Sequence, residues 1–233
     1  MGWKASAIII HKPVKIEYEA LLEKLGFSSL RTIADEPFEV AINPPKNKVY
    51  VGFYKDNLLI CAADLPMHFF ETHTTQTERV FGETFPDSEV CSIVLHSTVN
   101  LWGYAVTKNG QKVRARAGTA DDGTVLEIGL PLDEEKELLS KSKVDEKGIR
   151  TYLLDEFPDE LFDEDQVGEN FVFAICKRYF GQELNQADDL LFETTLRGYS
   201  FGRLISQTKI PEQTAIDRSP QIKQMNKPWW KFW

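Results

Sequence analysis

The stretch "NLWGYAVTKNGQKVRARAG" (100–118) decides the fold, because it contains the strongest local signal in the chain. Strand-forming residues flank Asn109-Gly110 on both sides, and this dipeptide favours the two-residue type I′ turn of a β-hairpin. A regular ladder from such a turn places Val106 opposite Val113 on an apolar face. The stretch therefore predicts an antiparallel hairpin with one face in the core.

The other face of this hairpin carries two arginines. The same register places Arg114 opposite Ala105 and Arg116 opposite Gly103, so both arginines lie among small residues. Guanidinium groups bind carboxylate or phosphate bidentately, and such a shelf could hold an anion. His96 would join the shelf if the preceding strand pairs alongside. A solvated face with arginines paired to nearby carboxylates is the favoured interpretation, because most charged faces are only solvated.

The loop "GTADDGT" (118–124) follows the hairpin directly. Its carboxylates, Asp121 and Asp122, could bind a metal ion or act as acid and base. Asx-Gly combinations are also common in simple turns, and the turn is favoured here. With Arg114, Arg116 and His96, these two aspartates complete the candidate ligand-binding set.

Further elements extend outward from the hairpin. Buried strands are predicted at 4–11 and 88–97, helices within 17–27, with Gly26 as the stop, and at 170–181, and a second hairpin around a turn at Asp56-Asn57. Strands with helices between and after them predict an α+β fold, with a single mixed or mainly antiparallel sheet packed with helices. One globular domain is predicted over 1–205, followed by a linker and an aromatic, basic tail over 206–233.

Composition excludes several classes of protein. The chain has 233 residues, a net charge of −9 and a pI near 5.1, so nucleic acid is an unsuitable main ligand. Three widely spaced cysteines lie in apolar runs and are expected to be small buried hydrophobes. The first apolar run is too short for a signal peptide or a membrane span, so a cytoplasmic location is expected.

No complete catalytic signature is present in the sequence. It lacks a P-loop, a GxGxxG stretch, a GxSxG elbow and an HExxH motif. We therefore expect no cofactor and no metal site, and the balance favours a protein that is not an enzyme.

The segment "DEFPDELFDED" (155–165) contains seven acidic residues and no basic ones. Phe157, Leu161 and Phe162 are interleaved with the carboxylates. This pattern is typical of the solvated edge of a helix or of a docking strip, and the helix edge is favoured.

The sequence finishes with "NKPWWKFW" (226–233), which holds three of the five tryptophans. From about Ser206 to Pro228 the chain is polar, contains three prolines and has no period, as in an extended linker. Five basic and two acidic residues give the tail a charge of +3, which leaves −12 for the rest of the chain. Opposite charges favour contact between tail and body.

Four aromatic residues of the tail form its predicted docking element: Trp229, Trp230, Phe232 and Trp233. Docking on the chain's own body or on a second copy is favoured, a partner protein comes next, and a membrane surface is disfavoured because the body is acidic. The sequence thus favours a non-enzymatic cytoplasmic interaction protein with the tail as docking element. The alternative is a small anionic-ligand binder or a hydrolase-like enzyme that uses Arg114 and Arg116.

The middle of the chain resembles a family of uncharacterised bacterial proteins, a domain of unknown function. The resemblance rests on Tyr50 and Gly52 in one strand, His96-Ser97 at a strand end, the hairpin 102–116, and Gly123 with the Gly-x-Pro-Leu step at 129–132. It covers about 45–135. It implies a compact soluble bacterial domain and carries no assigned activity or catalytic residue.

Overall fold

The computed structural model describes residues 2–204 except 147 and 156, so the predicted tail at 206–233 lies outside the described residues. The fold is α+β, as predicted from the sequence. Nine strands form the main sheet, and every neighbouring pair is antiparallel. Across the sheet the order is β3 (Arg31–Pro37), β13 (Thr195–Ser200), β4 (Lys48–Tyr54), β5 (Asn57–Ala62), β1 (Lys4–His11), β6 (Glu89–His96), β7 (Leu101–Lys108), β8 (Gln111–Thr119) and β9 (Gly123–Ile128).

Two smaller sheets accompany the main one. A three-stranded sheet contains β10 (Ser142–Val144), β11 (Arg150–Leu153) and β12 (Leu161–Asp163), and a two-stranded one contains β2 (Phe27–Ser28) and β14 (Arg203–Leu204). The α-helices are α1 (Tyr18–Lys24), α2 (Phe38–Ala41), α3 (Gln76–Thr84), α4 (Asp133–Ser140) and α5 (Gly168–Phe180). Short 3-10 turns occupy Pro66–Phe70, Ser97–Val99 and Leu184–Gln186, and a π-helical turn occupies Asp189–Glu193.

The main sheet is buried on both faces. In β1, Ala7 and Ile9 pack into the core cluster beneath α5 and α2, whereas Ile8 and Ile10 pack into the cluster beneath α1 and α3. Successive residues of a strand point to opposite faces, so a strand covered on both sides needs an unbroken apolar run. The run "AIII" within 4–11 meets that need and explains the central place of β1.

The predicted hairpin turn is confirmed. Asn109 and Gly110 both have positive φ, 53° and 69°, as a type I′ turn requires. Helix α3 packs directly on this turn, since a Cβ on Gly82 would lie 2.7 Å from the Gly110 Cα. Gly82 permits this approach of backbone to backbone, whereas Gly110 is required by the positive φ of the turn.

Two sequence predictions need correction in detail. The turn between β4 and β5 is Lys55-Asp56, one residue before the predicted Asp56-Asn57, because Asn57 pairs with Tyr54. The predicted register of the β7–β8 hairpin is wrong beyond its first two pairs. Thr107 pairs with Lys112, but Val106 pairs with Arg114, so Val113 is an extra, unpaired residue of a β-bulge.

The three cysteines, Cys61, Cys91 and Cys176, are buried as predicted. Burial raises the pKa of each thiol above its ordinary value. Among the described residues, no helix has both the length and the apolar character needed to cross a membrane.

We expect the protein to keep cooperative folding when Val113 is deleted. The deletion closes the bulge and keeps Arg114 paired with Val106 and Arg116 paired with Tyr104, so both arginines stay on the face beneath α5. Urea unfolding followed by circular dichroism measures the effect.

The matched comparison is deletion of Ala115, a paired residue of the same strand, which places one of the two arginines opposite Ala105 on the other face. That face has no room for it, since even a Cβ on Gly103 would approach Phe70 Cε1 to 2.9 Å, so this variant should lose cooperative folding. Equal stability of the two deletion variants would contradict the dependence of the fold on the face that receives the arginines.

Candidate functional site

The bulge at Val113 places both candidate arginines on the buried face of the hairpin. Arg116 is paired with Tyr104, and Arg114 is paired with Val106, so they share the face that packs beneath α5. Both side chains are almost fully buried, with 0% and 1% of the residue exposed. The sequence predicted an open face with the two arginines opposite Ala105 and Gly103. That prediction is wrong, because both arginines lie on the buried face.

Arg114 is held by carboxylates from two elements. Its Nε and Nη2 donate to Glu135 of α4 at 2.9 and 2.7 Å, and Nη2 also donates to Glu127 of β9 at 3.1 Å. Nη1 donates to the Gly129 carbonyl at 2.9 Å. Burial alone would lower the pKa of Arg114, but the hydrogen bonds to Glu135 hold it above its ordinary value.

Arg116 lies two pairs further along the strand and binds the segment after β12. Its Nη2 donates to Glu164, which also accepts a hydrogen bond from the Tyr152 hydroxyl at 2.7 Å and one from Thr124. The guanidinium carbon lies 4.4 Å from the ring centroid of Phe171, a cation–π contact. Its Nε and Nη1 make no hydrogen bond to the described residues.

Together these contacts form a buried network that fastens α4 and the three-stranded sheet to strand β8. Two guanidinium charges face three carboxylates, Glu127, Glu135 and Glu164. Both guanidinium charges are therefore already neutralised, and both side chains are closed off from solvent, which disfavours an added anion. The three glutamates lie 13 to 48 residues from their arginines, and no local sequence pattern marks them as partners.

The remaining candidates lie elsewhere. His96 alternates with Leu95, so it belongs to the face opposite Arg114 and Arg116, and burial together with Lys4 lowers its pKa. Asp121 and Asp122 are exposed in the β8–β9 turn, where the Asp122 amide donates to Thr119 Oγ1 at 3.2 Å. The structure thus brings the two arginines together but not the histidine or the aspartates.

A small polar pocket of about 200 Å³ lies near the start of α5, with Trp102 in its wall. Two pairs of its polar groups bind one another: Ser97 Oγ donates to Glu169 at 2.7 Å, and Asn100 Nδ2 donates to Asp165 at 2.9 Å. The buried Trp102 Nε1 has no hydrogen-bond partner among the described residues. Within the described part of the chain, no group of three His, Cys, Asp or Glu side chains is arranged to hold a metal ion.

The feature that stands out on the surface is the hairpin of β11 and β12, residues 150–163, which we call the acidic hairpin. Its strands pair Leu153 directly with Leu161, and Phe157 lies in the loop that joins them. These residues are 41%, 65% and 54% exposed, in that order. The helix edge predicted for 155–165 is wrong, because Leu161–Asp163 is a strand.

Carboxylates surround these apolar side chains. Asp159, Glu160 and Asp163 are exposed, and none forms an ion pair with another residue that the structure describes. Asp155 differs, because Lys141 lies 2.8 Å from it. The surface therefore combines apolar contact area with negative charge that is free to meet a cation.

The opposite face of the acidic hairpin is fixed to the body. Tyr152 is buried and pairs with Phe162, which packs against the same core cluster. The Tyr152 ring meets Phe171 of α5 edge-on, with centroids 5.9 Å apart. Combined with the Glu164 hydrogen bonds, these contacts hold the hairpin in one position on the body.

The tail residues predicted to dock, Trp229, Trp230, Phe232 and Trp233, lie outside the described residues. The acidic hairpin is a surface in the described part of the chain with the apolar and charged character that such a segment requires.

Residues 18–148 match a family of unknown function, DUF6928, and the chain belongs to this family. The matched range contains the resemblance over about 45–135 and extends it on both sides. Arg114, Glu127 and Glu135 lie inside the match, whereas Glu164 lies beyond it. No curated protein and no solved structure matches the chain.

We expect Glu135→Gln to lower the free energy of unfolding by about 3–5 kcal/mol, because it removes one partner of a buried ion pair. Glu135 is 1% exposed, whereas Glu127, which also binds Arg114, is 53% exposed as a side chain. Glu127→Gln is therefore the matched control, with an expected loss below about 1 kcal/mol. Urea unfolding measures both, and equal losses would contradict the assignment of Glu135 as the main counter-charge.

We expect Glu164→Gln to loosen the acidic hairpin without disturbing the main sheet. The substitution leaves Arg116 without its main counter-charge and weakens the acceptor shared with Tyr152. Amide hydrogen exchange within 150–163 should become at least about tenfold faster, while β1 and β6 stay unchanged. Asp163→Asn is the control, since it removes a nearby exposed charge; the same acceleration in that variant would show that Glu164 has no special role.

Proposed function

We propose that this protein is a non-enzymatic interaction protein of the cytoplasm that binds an aromatic, basic peptide segment through the acidic hairpin. Its own tail provides a segment of that kind, with Trp229, Trp230, Phe232 and Trp233 as the docking element. The observation that supports the proposal most is the group of exposed apolar side chains within an acidic surface. No part of the proposal requires a cofactor, a nucleic acid or a membrane.

The apolar side chains supply the contact area for binding. Single exposed hydrophobic residues are normal, but clusters of them mark interaction sites on soluble proteins. Five of the eleven large hydrophobic residues with high exposure lie in one stretch, from Val144 to Leu161. Within that stretch, Leu153 and Leu161 form a directly paired cross-strand unit on which an aromatic ring can pack.

The carboxylates supply selectivity for a basic partner. Asp159, Glu160 and Asp163 flank the apolar group and are free to pair with lysine or arginine of a bound segment. Charge complementarity of this kind speeds association and excludes acidic partners. An aromatic segment without basic residues would lose this contribution.

The anchoring of the hairpin lowers the cost of binding. A surface whose backbone is already ordered loses less conformational entropy when a ligand binds. Tyr152 and Glu164 hold the acidic hairpin against the body, so its outward face is presented in a fixed arrangement. The alternative, a small-anion binder or hydrolase-like enzyme at Arg114 and Arg116, has less support because carboxylates already neutralise both groups.

The test uses a full-length variant, called tail-silenced, in which the protein's own tail cannot compete with an added peptide. Its four docking residues are replaced by alanine: Trp229→Ala, Trp230→Ala, Phe232→Ala and Trp233→Ala. A fluorescent peptide of residues 224–233, QMNKPWWKFW, is then titrated against it. We expect saturable binding that weakens as NaCl rises from about 0.05 to about 0.5 M, since screening reduces the ionic part.

Leu153→Ser with Leu161→Ser in the same variant should weaken peptide binding at least about tenfold, because the apolar contact is lost. Leu130→Ser is the matched control, since Leu130 is 84% exposed and lies outside the acidic hairpin. Absence of binding, or an equal loss in the control, would refute the proposed function. Circular dichroism of each variant shows that the fold is retained.

A further inference from the structure

We propose that the chain's own tail occupies the acidic hairpin within the same molecule and so controls access of other segments to it. The occupant is residues 226–233, NKPWWKFW. This inference rests on the proposed function, because it assumes that the acidic hairpin binds such segments. It adds a regulatory step: a partner must displace the tail before it can bind.

The tail is long enough to reach the hairpin from any point on the body. The described chain runs to Leu204 in β14, beside Phe27 of β2. Residues 205–226 lie between that strand and the docking residues, and when extended they span about 70–80 Å at 3.3–3.6 Å each. A compact body of this size has a radius of gyration near 17 Å and a diameter of about 40–45 Å.

Charge favours the same occupant. Lys227 and Lys231 lie on either side of the tryptophan pair at 229–230, so a bound tail carries cations next to its aromatic anchors. The exposed carboxylates of Asp159, Glu160 and Asp163 lie in the same way next to the apolar side chains of the hairpin. Each side therefore offers an apolar group with charges of complementary sign at its border.

The tether favours binding within one molecule over binding between two. A linker of about 20 residues gives the segments that it joins an effective concentration in the millimolar range. A second copy of the chain at micromolar concentration competes poorly with that value. The tail is therefore expected to close on its own hairpin and to leave the protein monomeric.

The decisive experiment compares the wild-type chain with the tail-silenced variant, both at full length. We expect the fluorescent peptide 224–233 to bind the wild type at least about tenfold more weakly than it binds the tail-silenced variant, because the wild-type tail competes for the acidic hairpin. Hydrogen exchange within 150–163 should be correspondingly slower in the wild type than in the tail-silenced variant. Leu153→Ser with Leu161→Ser in the wild-type background should abolish this protection, whereas Leu130→Ser should preserve it.

The outcomes separate this inference from the proposed function. Equal peptide affinity for wild type and tail-silenced variant would overturn occupation by the tail, while the hairpin would remain a binding surface. Failure of both to bind the peptide, with no protection of 150–163 in the wild type, would overturn both proposals.

Light scattering after gel filtration distinguishes one molecule from two. The wild type and a version cut after Asn226 should both have the mass of a monomer. A dimer that becomes a monomer after the cut, with protection of 150–163 that rises with protein concentration, would place the tail on a second copy and overturn the intramolecular proposal.

Discussion

One unpaired residue, Val113, determines which side of the sheet receives two positive charges. In a regular ladder that paired Val113 with Val106, Arg114 and Arg116 would face the opposite cluster. Because Val113 is left unpaired, they lie beneath α4 and α5. A buried charge must be neutralised, and the carboxylates that do so come from β9, from α4 and from the segment after β12. Buried ion pairs of this kind add little net stability, but a misplaced partner is costly, so the network fixes where these elements attach.

The sequence predicts the parts of this fold that have local physical signals. The apolar run at 4–11, the Asn109-Gly110 turn and the glycine that ends α5 each act within a few residues. The bulge has no such signal, because Val113 is an ordinary strand residue and a regular ladder is the default. An arginine among alanines is typical of a solvated face, and its burial depends on Glu135 and Glu164, which are 21 and 48 residues away.

The acidic hairpin shows the same limit at a surface. The composition of 155–165 was visible as seven acidic residues with apolar ones between them, but β12 has only three residues, too few to show a period of two. The difference matters, because a strand sends Leu161 outward and Phe162 inward, whereas a helix would place both near one another. Exposed carboxylates also repel other copies of the chain and so keep an exposed apolar group compatible with solubility.

Strand β1 lies at the centre of the main sheet but outside the residues that match the family. This strand joins the two halves of the sheet, between β5 and β6, yet it precedes the first matched residue, Tyr18. A fragment cut to residues 18–148 would contain Arg116 without Glu164, and it would lack both β1 at the centre of the main sheet and β13 between β3 and β4. The matched residues are therefore fewer than those that build the main sheet, which needs one strand from before the matched range and one from after it.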